Sequence, residues 1–404
     1  MTPDPGPVWV AEVQLGRSLL PEGICRAHQV DDVATRVLVR RGRRVVGFVT
    51  LTSTGADLDD RGIGAAIARA LGDAVMAATD DHEPATTEPI TVVVCTRDRP
   101  EMLAACLKTL QQLRYRRYEV VVVDNASCTD ASRDCFERLA GTDARFRYVR
   151  EPVPGLSRAR NRGMAEATTR YVAFTDDDTL VDPWWLDGIA DGFARAPLTG
   201  CVTGLVPPAQ LDFPAQRYFD RRFSWGSRME PEVYRVTDDR DPSTLYPYSA
   251  GLFGTGANFA VDRRLLVDLG GFDEALGAGS PAGGGEELDV FVRVLRAGRP
   301  LVYQPSAIVW HVHRGEPRAS RQQLFSYGVG LTAFLTKYLL DARTSREVLT
   351  RIRPGARRMW GLWRAAAVDG RAPVRLVLTE ATGMAVGPVA YLRGRHRLRR
   401  GGRA

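Results

Sequence analysis

The chain has 404 residues, too long for one small domain and in the range of two or three units. With 44 % hydrophobic and 25 % charged residues it has the make-up of an ordinary globular protein. The net charge of +7 is uneven: from Arg343 onward fifteen arginines meet three acids, so the remainder is mildly acidic. Only Lys108 and Lys337 are lysines. Six scattered cysteines form no C-x-x-C pair and no dense framework, which fits a reducing compartment and argues against a zinc site. The opening MTPDPGPVWVAEVQ has no basic segment leading into an apolar core, so no signal peptide is expected. No uncharged run reaches the roughly 20 residues that cross a bilayer; FSYGVGLTAFLTKYLL is short and interrupted by Lys337. These features point to a cytoplasmic protein.

In chain order, TRVLVRRGRRVVGFVTL predicts a hairpin turning at Gly42, and GIGAAIARALGDAVMAA a helix. TDDHEPATTEP, polar with two prolines, reads as a linker. A small α+β domain is therefore expected over 1–86, with no residue of catalytic type. From Ile90 strands and helices alternate. ITVVVCT, YEVVVVDNAS, FRYVRE and YVAFTDDD are strands, separated by helical RPEMLAACLKTLQQL, DASRDCFERLA and LSRARNRGMAEAT. Apolar strands joined by helices predict a parallel sheet covered on both faces. Ligands of such sheets sit at the strands' C-terminal ends, where this chain places TRDRP, DNAS and DDD. An irregular stretch over 205–248 follows, then a glycine-rich segment. After about Ser320 the chain turns helical and basic.

Asp176, Asp177 and Asp178 end a strand that reads as buried, where adjacent carboxylates repel and desolvation makes each costlier. Asp176 and Asp178, two apart, can aim at one point and hold a divalent cation that completes its shell from water and phosphate. A helix cap followed by a solvated acidic turn is the weaker reading of three aspartates after YVAF. A haloacid-dehalogenase-like D-x-D-x-T/V motif would need Thr or Val at Leu180 and a first strand. A terpene-synthase DDxxxD through Asp177, Asp178 and Asp182 would need an all-helical fold.

The ordered set VVVCTRDRPEML, VVVDNAS, GLSRARNRG, YVAFTDDD, GTGANFAVDRRLLVDLGGFDE and GGGEELDVFVRVLRAGRPLVYQPSAIVWHVHR resembles the successive motifs of family-two glycosyltransferases across about 89–315. The resemblance implies a GT-A fold: an α/β domain over 87–320 with a mixed, mainly parallel sheet between helices, followed by a helical Arg-rich region over 321–404. It further implies inverting transfer of a sugar from a nucleotide-diphosphate donor, with Mg²⁺ or Mn²⁺.

Carried onto this chain, the resemblance makes Asp178 the direct metal ligand and places Asp176 nearer the ribose, with Asp177 between them. Thr96 and Arg97 match the loop around the nucleoside, Asp124 the acid facing the base, and Arg160 the cation facing the nucleotide. An Asx-turn closing the strand is an equally valid role for Asp124. Arg158 and Arg162 read as surface charges. Gly254 to Asn258 match a loop lining donor sugar and acceptor. The acidic motif implies a catalytic base, Glu287 first, then Glu286 and Asp289. Glu-Glu here departs from the commoner Glu-Asp, and acids in a first helical turn are also stabilising by themselves. His311 and His313 are implied as further metal ligands, against the plain reading of one packed and one solvent-exposed histidine.

The implied partners are the donor and an acceptor glycan, lipid-linked intermediate or small natural product. The basic tail adds an anionic membrane surface as a candidate partner, at the inner face of the plasma membrane, against a plain helical bundle. No nucleic-acid motif is present. The competing functional readings are a nucleotide-sugar-binding scaffold without catalysis and a nucleotidyltransferase; the latter would need a G-x-G-T-R-like loop where CTRDRP stands.

Overall fold

Two runs of β-branched residues around Gly42 form the hairpin that the sequence predicts: β3 (Ala34–Arg41) and β4 (Arg44–Leu51) pair antiparallel. β1 (Val8–Leu15) lies parallel to β3 and antiparallel to β2 (Pro21–Cys25), giving the order β2-β1-β3-β4. Helix α1 (Asp60–Ala77) packs on this sheet through Ile63 and Ile67 against Val13, Val37 and Val49. The computed structural model describes residues 8–15, 21–25, 34–51, 60–77, 84–214, 216–217, 220, 228–238, 245–313, 317–368 and 374–401. The first seven residues, 79–83 of the expected linker, parts of the 205–248 stretch and the last three residues of the tail lie outside them.

The second sheet has nine strands. β5 (Ile90–Thr96), β6 (Tyr118–Asn125), β7 (Phe146–Glu151) and β8 (Tyr171–Asp176) are mutually parallel. They are crossed by α2 (Pro100–Gln111), α3 (Ala131–Ala140) and α4 (Leu156–Glu166). Every residue of β5 is buried, as a run without polar alternation requires. Beyond β8 come β9 (Thr179–Val181), α5 (Trp185–Ala194), β10 (Cys201–Leu205), β11 (Glu232–Tyr234) and β12 (Phe259–Asp262). The chain continues through α6 (Arg263–Asp268), α7 (Glu286–Arg296) and β13 (Leu301–His311). The order is β11-β13-β10-β12-β8-β5-β6-β7, with β9 on β13. β12 runs antiparallel to both β8 and β10, so the sheet is mixed, as expected.

Phe174, Phe259, Phe272 and Phe291 pack ring on ring beneath the C-terminal end of β8, with centroids 4.9 to 6.3 Å apart. Trp185 and Asn258 are wholly buried. The Trp185 indole N–H donates to Asn258 Oδ1 (2.8 Å), and Asn258 Nδ2 donates to the carbonyls of Leu205 (3.0 Å) and Ala307 (2.8 Å). Asn258, matched by resemblance to a ligand-lining loop, thus pins α5, β10 and β13 inside the sheet. The 3₁₀ turn Ala250–Leu252 precedes that loop.

The chain ends in α8 (Pro317–Leu339), α9 (Ser345–Val368) and α10 (Val374–Gly401). The boundary expected at 320/321 falls inside α8, which touches α7 on one side and packs mainly along α10.

The two sheets are joined by arginines. Arg40 of β3 is fully buried, with Nη2 2.5 Å from Asp182 and Nε 2.9 Å from Glu12. Arg43 reaches Asp191 at 3.3 Å, and Arg36 meets Asp220 at 2.6 Å. Arg40→Met strands the buried Asp182 carboxylate and is expected to cost about 3 kcal/mol, read as an earlier thermal unfolding transition. Asp182→Asn added to that variant restores part of the loss, since it removes the orphaned charge.

Candidate active site

The loops after β5, β6 and β8 meet at one edge of the large sheet, around a cavity of about 370 Å³. Thr96, Arg97, Arg99, the three aspartates, His311, Gln323 and Tyr327 all reach it. Clefts of about 980 and 730 Å³ lie elsewhere. Neither contains a strand-end carboxylate cluster, so the smaller cavity is where the chemistry is concentrated.

The three aspartates part company at the strand end. Asp177 turns inward, accepting from Thr96 Oγ1 (2.8 Å) and Arg99 Nη1 (3.1 Å). Burial, then the neighbouring Asp178 charge, pushes its carboxyl up to about 6, against Arg99. Asp176 and Asp178 keep partly exposed carboxylates in the cleft. Asp178 Oδ2 lies 3.3 Å from Arg99 Nη1, and its Oδ1 lies 3.5 Å from His311 Nε2. Arg99 was not singled out in the sequence. Its signal was charge balance, a cation in the loop beside three acids.

Arg160 of α4 is buried beneath the cleft rather than facing it. Its guanidinium donates to Glu286 Oε1 (2.9 Å), Asp176 Oδ1 (3.2 Å) and the Gly256 carbonyl (2.9 Å). It lies 5.5 Å from the Phe259 ring centre and 5.7 Å from that of Phe272. Asp124 is similarly enclosed at the end of β6, accepting from Ser127 Oγ and from the Tyr148 hydroxyl. Arg97 is half exposed at the rim, 3.8 Å from Asp98. Arg158 and Arg162 pair with Glu274 and Glu166 at 2.7 Å, as surface charges do.

The acidic motif opens α7 after Gly285, whose φ of +89° suits glycine and where a Cβ would meet the Gly330 carbonyl of α8 at 2.6 Å. Glu286 is buried on Arg160, and its Oε2 has no hydrogen-bond partner among the described residues. Glu287 is half-buried. Burial raises its carboxyl to about 8, Glu286 and Asp176 add to this, and Arg160 opposes them. Asp289 points away from the cleft. It is fully buried, held by Lys337 Nζ (2.9 Å), Arg293 Nε (2.8 Å) and the Tyr338 hydroxyl (3.0 Å), and so ties α7 to α8.

His311 Nδ1 and His313 Nδ1 are 3.0 Å apart, so one ring donates and the other accepts. Burial, then the His311 charge, lowers the His313 pKa to about 3, which keeps that ring neutral. His311 therefore faces Asp178, while His313 lies behind it. α8 covers the cleft with Gln323, whose amide donates to the Tyr327 hydroxyl (3.1 Å). Nothing in the sequence marked these two.

Five carboxylates (Asp176, Asp177, Asp178, Glu286, Glu287) thus gather around two guanidiniums (Arg99, Arg160). The raised Asp177 and Glu287 values reflect burial first and that excess second. Asp176, Asp178 and His311 Nε2 are the groups that could hold a divalent cation. Among the described residues no three donors are preassembled as a cage.

Residues 91–255 match Glycosyl transferase family 2. The chain carries a family 2 glycosyl transferase domain. The mixed sheet with helices on its faces has the α/β architecture that the resemblance implies. Over 259 residues the chain is 27 % identical to the pre-mycofactocin glycosyltransferase of Mycobacterium tuberculosis, covering 63 % of this chain and 49 % of that protein. Over 232 residues it is 24 % identical to the glucosyl-dolichyl phosphate glucuronosyltransferase of Haloferax volcanii, covering 55 % and 68 %. The mannosyltransferase PcManGT from Pyrobaculum calidifontis, solved in complex with GDP-Man and Mn²⁺, superposes with a TM-score of 0.49 at 21 % identity, covering 79 % of this chain and 89 % of that one. The chain spans about half the length of the mycobacterial relative. The acidic helix α7, His311 and α8 to α10 lie beyond the family match.

Lys337 also holds Asp273, at 2.9 Å. Burial alone would raise the Asp273 carboxyl, but Lys337 and hydrogen bonds from Ala275 and Tyr391 bring it below 3.8. A depressed carboxyl gives stability that is present above its unfolded value and lost as pH falls through its folded value. Lys337→Met is therefore expected to cost about 2 kcal/mol near neutrality, less than a fully buried pair because Arg293 still serves Asp289. In denaturant melts the gap from the parent narrows as pH drops below 3.8.

Proposed function

We propose that the protein is an inverting glycosyltransferase that moves a sugar from a nucleotide-diphosphate donor to an acceptor hydroxyl. The observation that carries this reading is the excess of carboxylate at the sheet edge, arranged with Asp176 and Asp178 toward the cleft and Arg160 locked beneath them. The residues fit Mg²⁺ or Mn²⁺: two carboxylates and an imidazole nitrogen whose partner ring can fix its tautomer. When bound, the metal would offset the charge that grows on the departing diphosphate.

The protein's own groups divide the remaining work. Asp178, Asp176 and His311 would hold the cation, while His313 orients the His311 ring. Arg97 and Arg99 line the cleft as cations for the nucleotide. Thr96 fixes Asp177, whose charge in turn holds Arg99. Asp124, enclosed behind this edge, supports the β6 loop and reaches a base only through that loop. Arg160 steadies Asp176 and Glu286 together. Glu287 takes the proton from the acceptor hydroxyl as its oxygen bonds to the anomeric carbon, and the carbon–oxygen bond to the diphosphate breaks on the opposite face. Glu286 is its neighbour in reserve, its charge already committed to Arg160. The catalytic unit is assigned to 87–320 with α8 as its cover. The acceptor is a glycan, a lipid-linked intermediate or a small natural product, and the names of the relatives, a pre-mycofactocin glycosyltransferase and a glucosyl-dolichyl phosphate glucuronosyltransferase, leave more than one kind open.

Asp178→Ala is expected to abolish metal-dependent donor binding and transfer together, read by calorimetry with Mn²⁺ and by donor turnover. Glu287→Gln should keep that binding and lose about 10²- to 10⁴-fold in rate. Turnover at the parental rate in Glu287→Gln would reassign the base. Binding without any turnover in the parent, across a panel of acceptors, would favour the scaffold reading.

A base works only when ionised, so kcat/KM is expected to rise with pH as Glu287 loses its proton. That limb should lie between the ordinary 4.5 and about 8, nearer 4.5 once a cation offsets the surrounding charge. A pH–rate profile that stays flat over this window would remove Glu287 from the reaction.

A further inference from the structure

Helix α10 has two faces of opposite character. Inward, glycines stand where side chains would collide: a Cβ on Gly383 would lie 2.2 Å from the Phe325 carbonyl, on Gly387 2.5 Å from that of Val329, and on Gly394 2.9 Å from that of Ala275. The helix therefore lies backbone against backbone on α8, and this packing is complete without its other face. Outward, Leu378, Val386, Val389 and Leu392 are 59, 42, 48 and 50 % exposed. Their spacing keeps them within one helical stripe. Single exposed aliphatics need no explanation, but four in line on one helix do.

The stripe is bordered by cations. Arg375 precedes it, and Arg393, Arg397 and Arg400 follow it, all exposed. One turn on from Leu392, Arg395 and Arg399 enter a cavity of about 730 Å³ together with Arg343. Lys337 and Arg296 at the same cavity are held by Asp273 with Asp289 and by Glu347. The guanidiniums of Arg343, Arg395 and Arg399 have no carboxylate partner among the described residues, although Asp341 at the same cavity accepts from the Arg343 backbone N–H (3.0 Å); Arg395 lies over the Tyr391 ring. The only acid within α10 is Glu380, which is buried.

We propose that α10 seats the protein on an anionic bilayer, with its aliphatic stripe at the acyl boundary and Arg343, Arg395 and Arg399 taking headgroup phosphates. No helix among the described residues is long and apolar enough to cross a membrane, so the contact is one of lying on the surface. A second copy is the poorer occupant: a two-fold contact through this stripe would bring the same arginines together with no exposed acid on the helix to meet them. A free phosphate would leave the stripe without a role.

The test is co-sedimentation of the full-length protein with vesicles of phosphatidylcholine alone, and of phosphatidylcholine with phosphatidylglycerol in equal parts. Uptake is expected only on the mixed vesicles, weakening as salt rises. The double variant Arg395→Gln/Arg399→Gln should lower the partition about fivefold per arginine. The triple variant Val386→Ser/Val389→Ser/Leu392→Ser should lower it at least about tenfold. Both variants change exposed or cavity-facing side chains, and thermal melts check that they fold; Leu378→Ser alone provides the apolar test if the triple variant melts early. Equal uptake by neutral vesicles, or partition unmoved by either variant, overturns the proposal. Displacement by inorganic phosphate with no effect of the apolar variant would make this a free-anion site. A dimer that the apolar variant abolishes, without vesicle uptake, would make the stripe a self-contact.

Discussion

A guanidinium buried between two carboxylates from different parts of the chain sets the geometry of this edge. Arg160 spends one nitrogen on Glu286 and another on Asp176 and the Gly256 carbonyl, over the rings of Phe259 and Phe272. A buried ion pair gives little net stability, because desolvation offsets most of the attraction. Its effect here is positional. Asp176 has Oδ1 drawn inward, which leaves Oδ2 for the cleft, and the first turn of α7 is drawn toward the end of β8. A lysine could not do this, since a single ammonium lacks the planar fork that reaches several acceptors at fixed angles.

The same arrangement explains why the cleft stays short of positive charge. Arg160 and Arg99 satisfy parts of four acids, yet Glu287 is still held far above an ordinary carboxyl value and Asp177 well above its own. A fold that needed these acids only for structure would gain by adding a third cation or removing an acid. The strain is concentrated instead at the mouth of a cavity, beside the His311 imidazole, whose Nδ1 lies 3.0 Å from that of the buried His313. The divalent cation proposed above would relieve that crowding.

Most of the sheet was legible in the sequence because its strands are apolar runs of β-branched residues and its polar clusters mark their C-terminal ends. The aspartates were legible for the opposite reason, since three charges at a buried strand end conflict with burial. Arg160 was found but placed on the wrong side of its neighbours, because sequence spacing gives the helix face and not the depth of the ring pair below it. Asp289 belongs to the acidic motif by spacing, yet its direction is fixed by Lys337, 48 residues later. Gln323 and Tyr327 lie on a helix whose composition reads as plain packing. Only its close approach to Gly285 through Gly330 brings them over the cleft.

The loop that carries Asp178 also depends on residues remote in the chain. β9 has three residues, too few to hold its register alone. It pairs Thr179 with His311 and Val181 with Val309, and the Asp178 carbonyl accepts from Val312 N–H (2.9 Å). Immediately after it, Asp182 is clamped by Arg40 from the N-terminal sheet, 142 positions earlier. On the other flank, Lys337 of α8 holds the helix that carries Glu286 and Glu287. The acids proposed to face a cation and the acid proposed to face an acceptor are thus fixed from opposite ends of the chain. A mobile pair of flanks would let the carboxylates relax apart and dissipate the charge crowding that favours a cation. The N-terminal sheet, which contributes no side chain to the cleft, therefore acts on it through the stiffness of one short strand.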